Sequence, residues 1–227
     1  MDGDEGNTKI AKQFFDLHPS TKNKPPVIVN TFITAENIND LIKSNGFEGE
    51  IDLFSLDIGW FFIFLLLSLS FPYSFFQNNS MLLNSSSFLL DGIDYWIWDS
   101  IHVVNPRVVI VEIQEVWGWT ETKTRPYRAD HVSRSVPEMG ASILAFIHLA
   151  KTKNYRLIGC IEAGFNAIFL RNDIGQDIFG DSYDPKGCFG HWTKDWSLEI
   201  ESRKISAKQF DWVDPRITNR AGETKKN

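Results

Sequence analysis

The chain has 227 residues, which is enough for one sizeable hydrophobic core or two small ones. Its hydrophobic fraction of 43% and charged fraction of 23% are those of a globular protein and exclude an intrinsically disordered one. The formal net charge of −6 provides no general attraction to nucleic acid or to an anionic membrane, so no nucleic-acid partner is expected.

The cysteines and the N-terminal residues bear on the compartment. Two cysteines, Cys160 and Cys188, are too few for a disulfide framework, and a reducing compartment is the default for such a chain. Residues 1–5 are acidic and polar, which is unlike a signal peptide. The sequence therefore predicts a cytoplasmic location, with membrane association as the alternative.

Helical and strand patterns alternate through the first part of the chain. Apolar residues at helical spacing predict a helix over 7–18, and a compact β-branched run predicts a strand over 27–32. Thr34 is a suitable N-cap for a second helix over 35–44. A buried strand over 51–58 follows.

The same alternation continues after residue 90. A short helix is predicted over 95–103, and Asn105 and Pro106 are expected to end it. Periodicity then predicts the strand 108–113, the helix 140–153, and the strands 155–161 and 167–171. This order argues for a mostly parallel sheet that ends in an antiparallel hairpin, followed by an irregular extension over 172–227.

Residues 59–90 interrupt this pattern with a run that contains no Asp, Glu, Lys or Arg. Of its 32 residues, 22 are Phe, Leu or Ser, the residues that thymine-rich codons encode. Three explanations stay open: a retained intron translated in frame, which we favour; a genuine insertion; and a membrane segment through 60–76. The apolar run is shorter than the roughly 20 residues that span a bilayer.

The residues on either side of the interruption make a candidate site. Removing 59–90 joins Ile58 to Asp91, so that Asp57, Asp91 and Asp94 follow a buried strand. Ligands in open α/β sheets bind beyond the carboxyl ends of the strands. The plain alternative is turn and helix-capping chemistry. No histidine or second carboxylate pattern supports a metal here, so no metal site is expected.

Several blocks of the chain resemble the FkbM-type methyltransferases, which are class I S-adenosylmethionine-dependent enzymes. In chain order the blocks are ITAENINDLI, SLDI joined to DGIDYWIW, PRVVIVEIQ, and the segment from GAS through LAFIHLAKTKNYRLIGCIEAGFNAIFLR. The resemblance as a whole covers roughly residues 2–171, without the interruption. The resemblance implies a seven-stranded Rossmann-like sheet of order 3-2-1-4-5-7-6, with strand 7 antiparallel, and methyl transfer that is usually to oxygen.

The resemblance also implies where S-adenosylmethionine binds. Asp2 falls at the end of strand 2, where an acidic residue accepts hydrogen bonds from the ribose hydroxyls. Glu36 and Asn37 fall in the loop after strand 3 that approaches the adenine. Asp57 and Asp91 follow strand 4 beside the sulfonium and the acceptor, and Asp91 is a candidate catalytic base.

A second candidate base comes from the histidines. His131 lies in a long loop near Arg128 and Arg134, where it is suitably placed to take the proton of an acceptor. A solvated loop histidine is the plain alternative. The arginines are candidates to bind an anionic acceptor, and solvated surface charge is the alternative for them.

The fold class that follows is α/β: a Rossmann-like class I methyltransferase sheet lacking strand 1 and most of strand 2, with a C-terminal antiparallel hairpin. Residues 1–227 form one incomplete domain interrupted by 59–90. Because the glycine-rich loop after strand 1 is absent, the predicted methyltransferase is impaired, and its acceptor is a small molecule or a glycan. The alternatives are a non-catalytic methyltransferase-like fragment or interaction module, and a membrane-attached protein anchored through 60–76.

Overall fold

The protein folds into a mixed α/β structure around a four-stranded sheet. The structure, a computed structural model, describes residues 5–56, 92–131, 140–161, 164–190 and 194–225. The strands are β1 (Gly49–Leu56), β2 (Val104–Glu112), β3 (Tyr155–Cys160) and β4 (Asn166–Arg171). The helices are α1 (Glu5–Leu17), α2 (Ile38–Ser44), α3 (Asp94–Ser100), α4 (Ile143–Thr152), α5 (Gln176–Phe179) and α6 (Lys194–Ala207). Two 3-10 helices span Glu115–Trp117 and Pro185–Phe189.

The strands lie in the order β1-β2-β4-β3, with one parallel and two antiparallel pairs. β1 runs parallel to β2, with Leu56 opposite Val111. β4 runs antiparallel to both of its neighbours, and Phe169 faces Val109 on one side and Leu157 on the other. The predicted strands through Leu53, Val109 and Ile158 and the C-terminal hairpin are thus present. The prediction of a mostly parallel sheet is wrong for the described strands, because β4 pairs antiparallel with both of its neighbours.

The core is built from apolar strand residues and an aromatic helix. Val109 and Val111 of β2 are fully buried, and the helix α3 packs Tyr95, Trp96 and Trp98 against the sheet. The ring of Trp98 lies 5.2 Å from that of Phe169 in β4. Burial of this much apolar surface is the main term that stabilises the fold.

Arg171 joins three strands at one end of the sheet. Its side chain is only 7% exposed and pairs with Glu50 of β1 at 2.5 Å and with Asp173 at 2.6 Å. Its Nη1 donates to the carbonyl oxygen of Asn105 in β2 at 3.1 Å. Since a buried guanidinium is stable only when its donors are satisfied, these contacts fix β4 relative to β1 and β2.

Arg156 in the edge strand β3 holds the segment after β4 in place. Its guanidinium donates to the carbonyl oxygens of Gly180, Arg171 and Ile174 at 2.8, 3.1 and 2.9 Å. The turn after β4 is therefore held to β3 by one side chain. The sequence pattern of β3 does not indicate this function, because an arginine in a strand is usually read as a solvent-facing residue.

The predicted strand over 27–32 and the predicted break at Asn105 and Pro106 are both wrong. Residues 27–32 do not form a strand of the sheet: Asn30 makes an isolated bridge, and Val27 and Phe32 are exposed. β-Branched residues favour extended backbone, but a strand also needs a neighbour to pair with. Asn105 and Pro106 do not break the chain but lie within β2. This is tolerated because β4 pairs with β2 only from Val108 to Glu112, so Pro106 lies outside the stretch where both edges are used.

A disulfide joins Cys160 at the end of β3 to Cys188 in the 3-10 helix Pro185–Phe189. Its Cα atoms are 5.4 Å apart. The sequence analysis expected two reduced cysteines, because a separation of 28 residues does not show that these two segments are neighbours. Residues 172–227 were predicted to be irregular, and that prediction is wrong where they form α5, this 3-10 helix and α6.

Replacing Arg171 with alanine is expected to lower the free energy of unfolding by about 2 kcal/mol, because several hydrogen bonds are lost while Glu50 and Asp173 become hydrated. Chemical denaturation followed by circular dichroism measures this change. Arg216→Ala is the matched control, since Arg216 pairs with Asp214 while 51% exposed and surface pairs contribute little. Equal losses in the two variants would contradict the role given to Arg171.

Candidate functional site

The six predicted site residues divide between the described and undescribed parts of the chain. Asp2, Asp57 and Asp91 lie outside the described residues, so their predicted roles remain predictions. Glu36, Asn37 and His131 are described. Glu36 and His131 belong to segments that meet through Tyr127, whereas the side chain of Asn37 is directed to its own turn.

Asn37 is a turn residue in this structure. Its Oδ1 accepts a hydrogen bond from the backbone N–H of Thr34 at 2.8 Å, and its Nδ2 donates to the carbonyl oxygen of Phe32 at 2.8 Å. The Oγ1 of Thr34 in turn accepts from the backbone N–H of Asn37 at 3.2 Å. These reciprocal bonds close the turn that leads into α2, as Asn and Thr commonly do. The amide therefore has a structural function, which is the plain alternative for this residue.

Glu36 lies in a polar cluster with Tyr127 and Arg220, which we call the Glu36 cluster. The Tyr127 hydroxyl donates to Glu36 Oε2 and accepts from the backbone N–H of Ala35 at 3.0 Å. Arg220 places its guanidinium 5.3 Å from the centre of the Tyr127 ring and 3.7 Å from Glu36 Oε1. It also donates to Ser100 Oγ at 2.7 Å. The cluster thus joins the 34–37 turn, the 125–131 loop, α3 and the C-terminal segment.

The hydrogen bond in this cluster changes the acidity of both partners. The Tyr127 hydroxyl lowers the pKa of Glu36 below its ordinary value of 4.5, with a smaller contribution from the charge of Arg220. Burial, together with Glu36, raises the pKa of Tyr127 to about 12. At neutral pH the pair is therefore a carboxylate and a neutral phenol, and the Glu36 side chain stays 54% exposed.

His131 is buried, although it was predicted in a loop for which a solvated histidine was the alternative. Its backbone N–H donates to the carbonyl oxygen of Arg128 at 3.1 Å, which closes a turn. Arg128 itself points to solvent and pairs with Asp130 at 3.1 Å. Arg134 lies outside the described residues. His131 follows Tyr127 of the Glu36 cluster by four residues in the chain, and its role as a base stays a prediction.

Asp94 and Glu115 are buried acids, the first at the start of α3 and the second in the 3-10 helix after β2. Asp94 Oδ2 accepts from the backbone N–H of Gly92 at 3.4 Å, which agrees with the turn function given as the alternative for this residue. Glu115 directly follows β2 and pairs with Arg203 of α6 at 2.7 Å. Burial raises the pKa of the Glu115 carboxyl, while its backbone hydrogen bond and Arg203 oppose the shift.

The aromatic residues near the site pack rather than line an open pocket. Trp96, Trp98 and Trp117 are all buried. The indole N–H of Trp96 donates to the carbonyl oxygen of Arg125 at 2.7 Å, and Arg125 Nη1 donates to that of Asp211 at 2.6 Å. These tryptophans therefore contribute to packing, and Arg125 joins α3 to the C-terminal segment through its backbone carbonyl and its side chain.

The sequence analysis missed Tyr127, Arg220, Glu115 and Arg203. Arg220 belongs to the extension 172–227 that was predicted to be irregular, yet it contacts both Ser100 and Glu36. None of the four lies in a periodic pattern, and each acts through a partner that is distant in sequence, such as Tyr127 with Glu36, 91 residues apart. Periodicity and local motifs carry no signal for such pairs.

The described residues also bear on metal binding and on the membrane alternative. Within these residues no group of three or more His, Cys, Asp or Glu side chains is arranged to hold a metal ion. None of the described helices is long and apolar enough to cross a membrane. The run 60–76, on which the membrane alternative depends, lies outside the described residues.

Comparison with known proteins finds no match to this chain among family models, curated proteins or solved structures. The functional argument therefore depends on the contacts of the chain's own residues and on the resemblance of its sequence blocks.

Tyr127→Phe is expected to raise the pKa of Glu36 towards its ordinary value of 4.5, because the hydrogen bond that stabilises the carboxylate is lost. NMR titration of the Glu36 side chain measures this change. Glu48, an exposed carboxylate paired with Lys43, is the internal control, and its NMR signals should be the same in both proteins. An unchanged Glu36 titration would show that the Tyr127 contact is not made in solution.

Glu115 gives a prediction for stability at acidic pH. A carboxyl group whose pKa is raised on folding binds its proton more tightly when folded, so its contribution is largest below its unfolded pKa and is lost as pH rises through the folded pKa. Relative to Glu115→Gln, which keeps an acceptor for Arg203, the wild-type protein should gain stability as pH falls from neutral towards 4.5. Urea denaturation across this range measures the difference.

The control is Glu199→Gln, because Glu199 is the exposed partner of the same Arg203. Its difference from wild type should not follow the trend of the Glu115 variant. If wild type instead loses stability relative to Glu115→Gln on acidification, the ion pair with Arg203 outweighs the cost of burial.

Proposed function

We propose that the chain is an S-adenosylmethionine-dependent O-methyltransferase domain of FkbM type, impaired in this sequence. The observation that carries the proposal is the strand order β1-β2-β4-β3, with a parallel pair followed by an antiparallel strand between β2 and β3. This order is the one that the resemblance implies for strands 4-5-7-6. The resemblance also implies a Rossmann-like sheet, of which these four strands would be one half.

The described residues fit the cofactor in part. Glu36 is partly exposed and charged at neutral pH, so its carboxylate has acceptor capacity beyond the Tyr127 bond. Asn37 does not fit, since both ends of its amide are used within the turn. Of the two cofactor contacts proposed in the described residues, only that of Glu36 is therefore retained.

The chain's own residues would act by positioning and by proton transfer. S-adenosylmethionine, when bound, supplies a methyl group that is already activated for transfer. Holding the acceptor oxygen in line with that group supplies most of the rate enhancement. His131 is the candidate among the described residues to take the acceptor's proton, and Asp91 remains a candidate outside them. Tyr127 and Arg220 would fix the orientation of Glu36.

The second candidate is a non-catalytic methyltransferase-like module. The engagement of Asn37 in its turn and of Glu36 with Tyr127 and Arg220 favours it, because both residues have complete structural functions without a ligand. The sequence adds to this, since residues 59–90 stand between Asp57 and Asp91, which the family places two positions apart.

Calorimetry with S-adenosylmethionine separates the two candidates. A deletion variant that lacks residues 59–90 and carries an added N-terminal strand 1 with its glycine-rich loop should bind the cofactor. The full chain should bind it more weakly or not at all, because it lacks that loop and because active-site geometry tolerates displacements of only about 0.5 Å. In the deletion variant, Glu36→Gln should weaken binding by roughly tenfold, as expected for loss of a charged acceptor. Glu48→Gln, which changes an exposed carboxylate elsewhere, should have no effect.

Absence of binding by both the full chain and a folded deletion variant would overturn the methyltransferase proposal and leave the non-catalytic module. If Glu36→Gln and Glu48→Gln both leave cofactor binding unchanged, the methyltransferase proposal stands, but Glu36 is not part of the cofactor site.

A further inference from the structure

Within the described residues, the 3-10 helix Pro185–Phe189 is attached to the sheet by a disulfide, by one backbone hydrogen bond and by the burial of Cys188 and Phe189 in the core. The disulfide joins its buried Cys188 to Cys160, the last residue of β3. Just before the helix, the backbone N–H of Tyr183 donates to the carbonyl oxygen of Leu157 in β3 at 2.8 Å. The hydrogen bonds from Lys186 and Gly187 to Asp184 are local and do not attach the helix to the sheet.

The helix covers the loop that follows β2. Phe189 lies 5.5 Å from Trp119, and the ammonium of Lys186 lies 5.9 Å from the centre of the same ring. Trp119 belongs to the turn after the 3-10 helix Glu115–Trp117, which directly follows β2. The disulfide therefore keeps Phe189 packed on Trp119, which precedes the 125–131 loop in the chain.

We propose that Cys160–Cys188 is a thiol–disulfide exchange site, at which a dithiol reductant releases the helix Pro185–Phe189 from β3 and uncovers Trp119. The bond joins two cysteines that are 28 residues apart in the chain. A cross-link of this kind restricts the conformations of the segment between the two cysteines, and that restriction ends when the bond is reduced. Once it opens, the helix is held, among the described residues, by one backbone hydrogen bond, the contacts with Trp119 and the burial of Cys188 and Phe189 in the core. The inference does not depend on methyl transfer.

The burial of the two sulfurs indicates the direction of attack. Cys188 is 4% exposed, whereas Cys160 is partly exposed at the end of its strand. A thiolate of the reductant attacks Cys160 Sγ, the S–S bond breaks, and Cys188 leaves as a thiolate that takes up a proton. The second thiol of the reductant then displaces Cys160 as a thiol. The reductant is oxidised to a disulfide, and the protein gains two electrons and two protons.

The test is native-state trypsin cleavage after Lys186, which lies within the helix and is exposed. The full chain is purified aerobically, and its free thiols are counted in denaturant before and after treatment with dithiothreitol. We expect no free thiols before treatment and two after it. The fragment ending at Lys186 should then form at least about tenfold faster in the reduced protein, because the cross-link no longer limits local opening.

Arg107, within β2, provides the internal control, since cleavage there requires the sheet to open. Its rate should stay unchanged on reduction. The double variant Cys160→Ser/Cys188→Ser should be cleaved after Lys186 as fast as the reduced wild type and should not respond to dithiothreitol. If this variant does not fold, the oxidised and reduced forms of the wild-type protein still provide the comparison.

Four results would overturn the proposal. Free thiols in the aerobically purified protein would show that the bond does not form. Equal cleavage after Lys186 in both forms, or a disulfide that resists dithiothreitol in the native protein, would make the bond only a structural one. Faster cleavage after both Lys186 and Arg107 on reduction would show that the whole sheet depends on the bond.

Discussion

The described structure depends on the antiparallel placement of β4 between β2 and β3. Through its backbone, β4 pairs with both neighbours, so the position of β3 relative to the parallel pair follows from it. Arg171 at the end of β4 extends this control to β1 through Glu50. A buried cation cannot be left without partners, and this requirement makes the register of three strands mutually consistent.

The acidic groups Glu36 and Glu115 show opposite effects of environment on their pKa values. Glu36 is partly exposed and receives a hydrogen bond from Tyr127, so its charged form is stabilised. Glu115 is buried beside Arg203, and desolvation outweighs the attraction to that cation. The contrast arises from burial rather than from residue type, because each carboxylate has a cation near it.

The resemblance to methyltransferases and the contacts of the site support different parts of the functional argument. The strand order agrees with what the resemblance implies for one half of the sheet, whereas Asn37 has a complete structural function. Fold and function are separable, because a domain can keep the order of its strands while its site residues serve only local structure. Glu36 and His131 are the described residues on which an activity would depend.

The sequence by itself determined the elements whose signal is local. The spacing of apolar residues predicted α1 and α4, and continuous apolar runs predicted β2, β3 and β4, because side-chain periodicity follows directly from backbone geometry. The same reasoning failed for residues 27–32, where extended backbone lacks a partner strand within the described residues.

Tertiary structure alone decided the contacts between distant segments. The pairing of Tyr127 with Glu36, the attachment of Arg220 to Ser100 and the Cys160–Cys188 bond each join residues that no local pattern relates. Their partners become neighbours only after the sheet has assembled in its β1-β2-β4-β3 order. A contact between side chains is set by distance in space, and the sequence encodes that distance only through the packing of the whole domain.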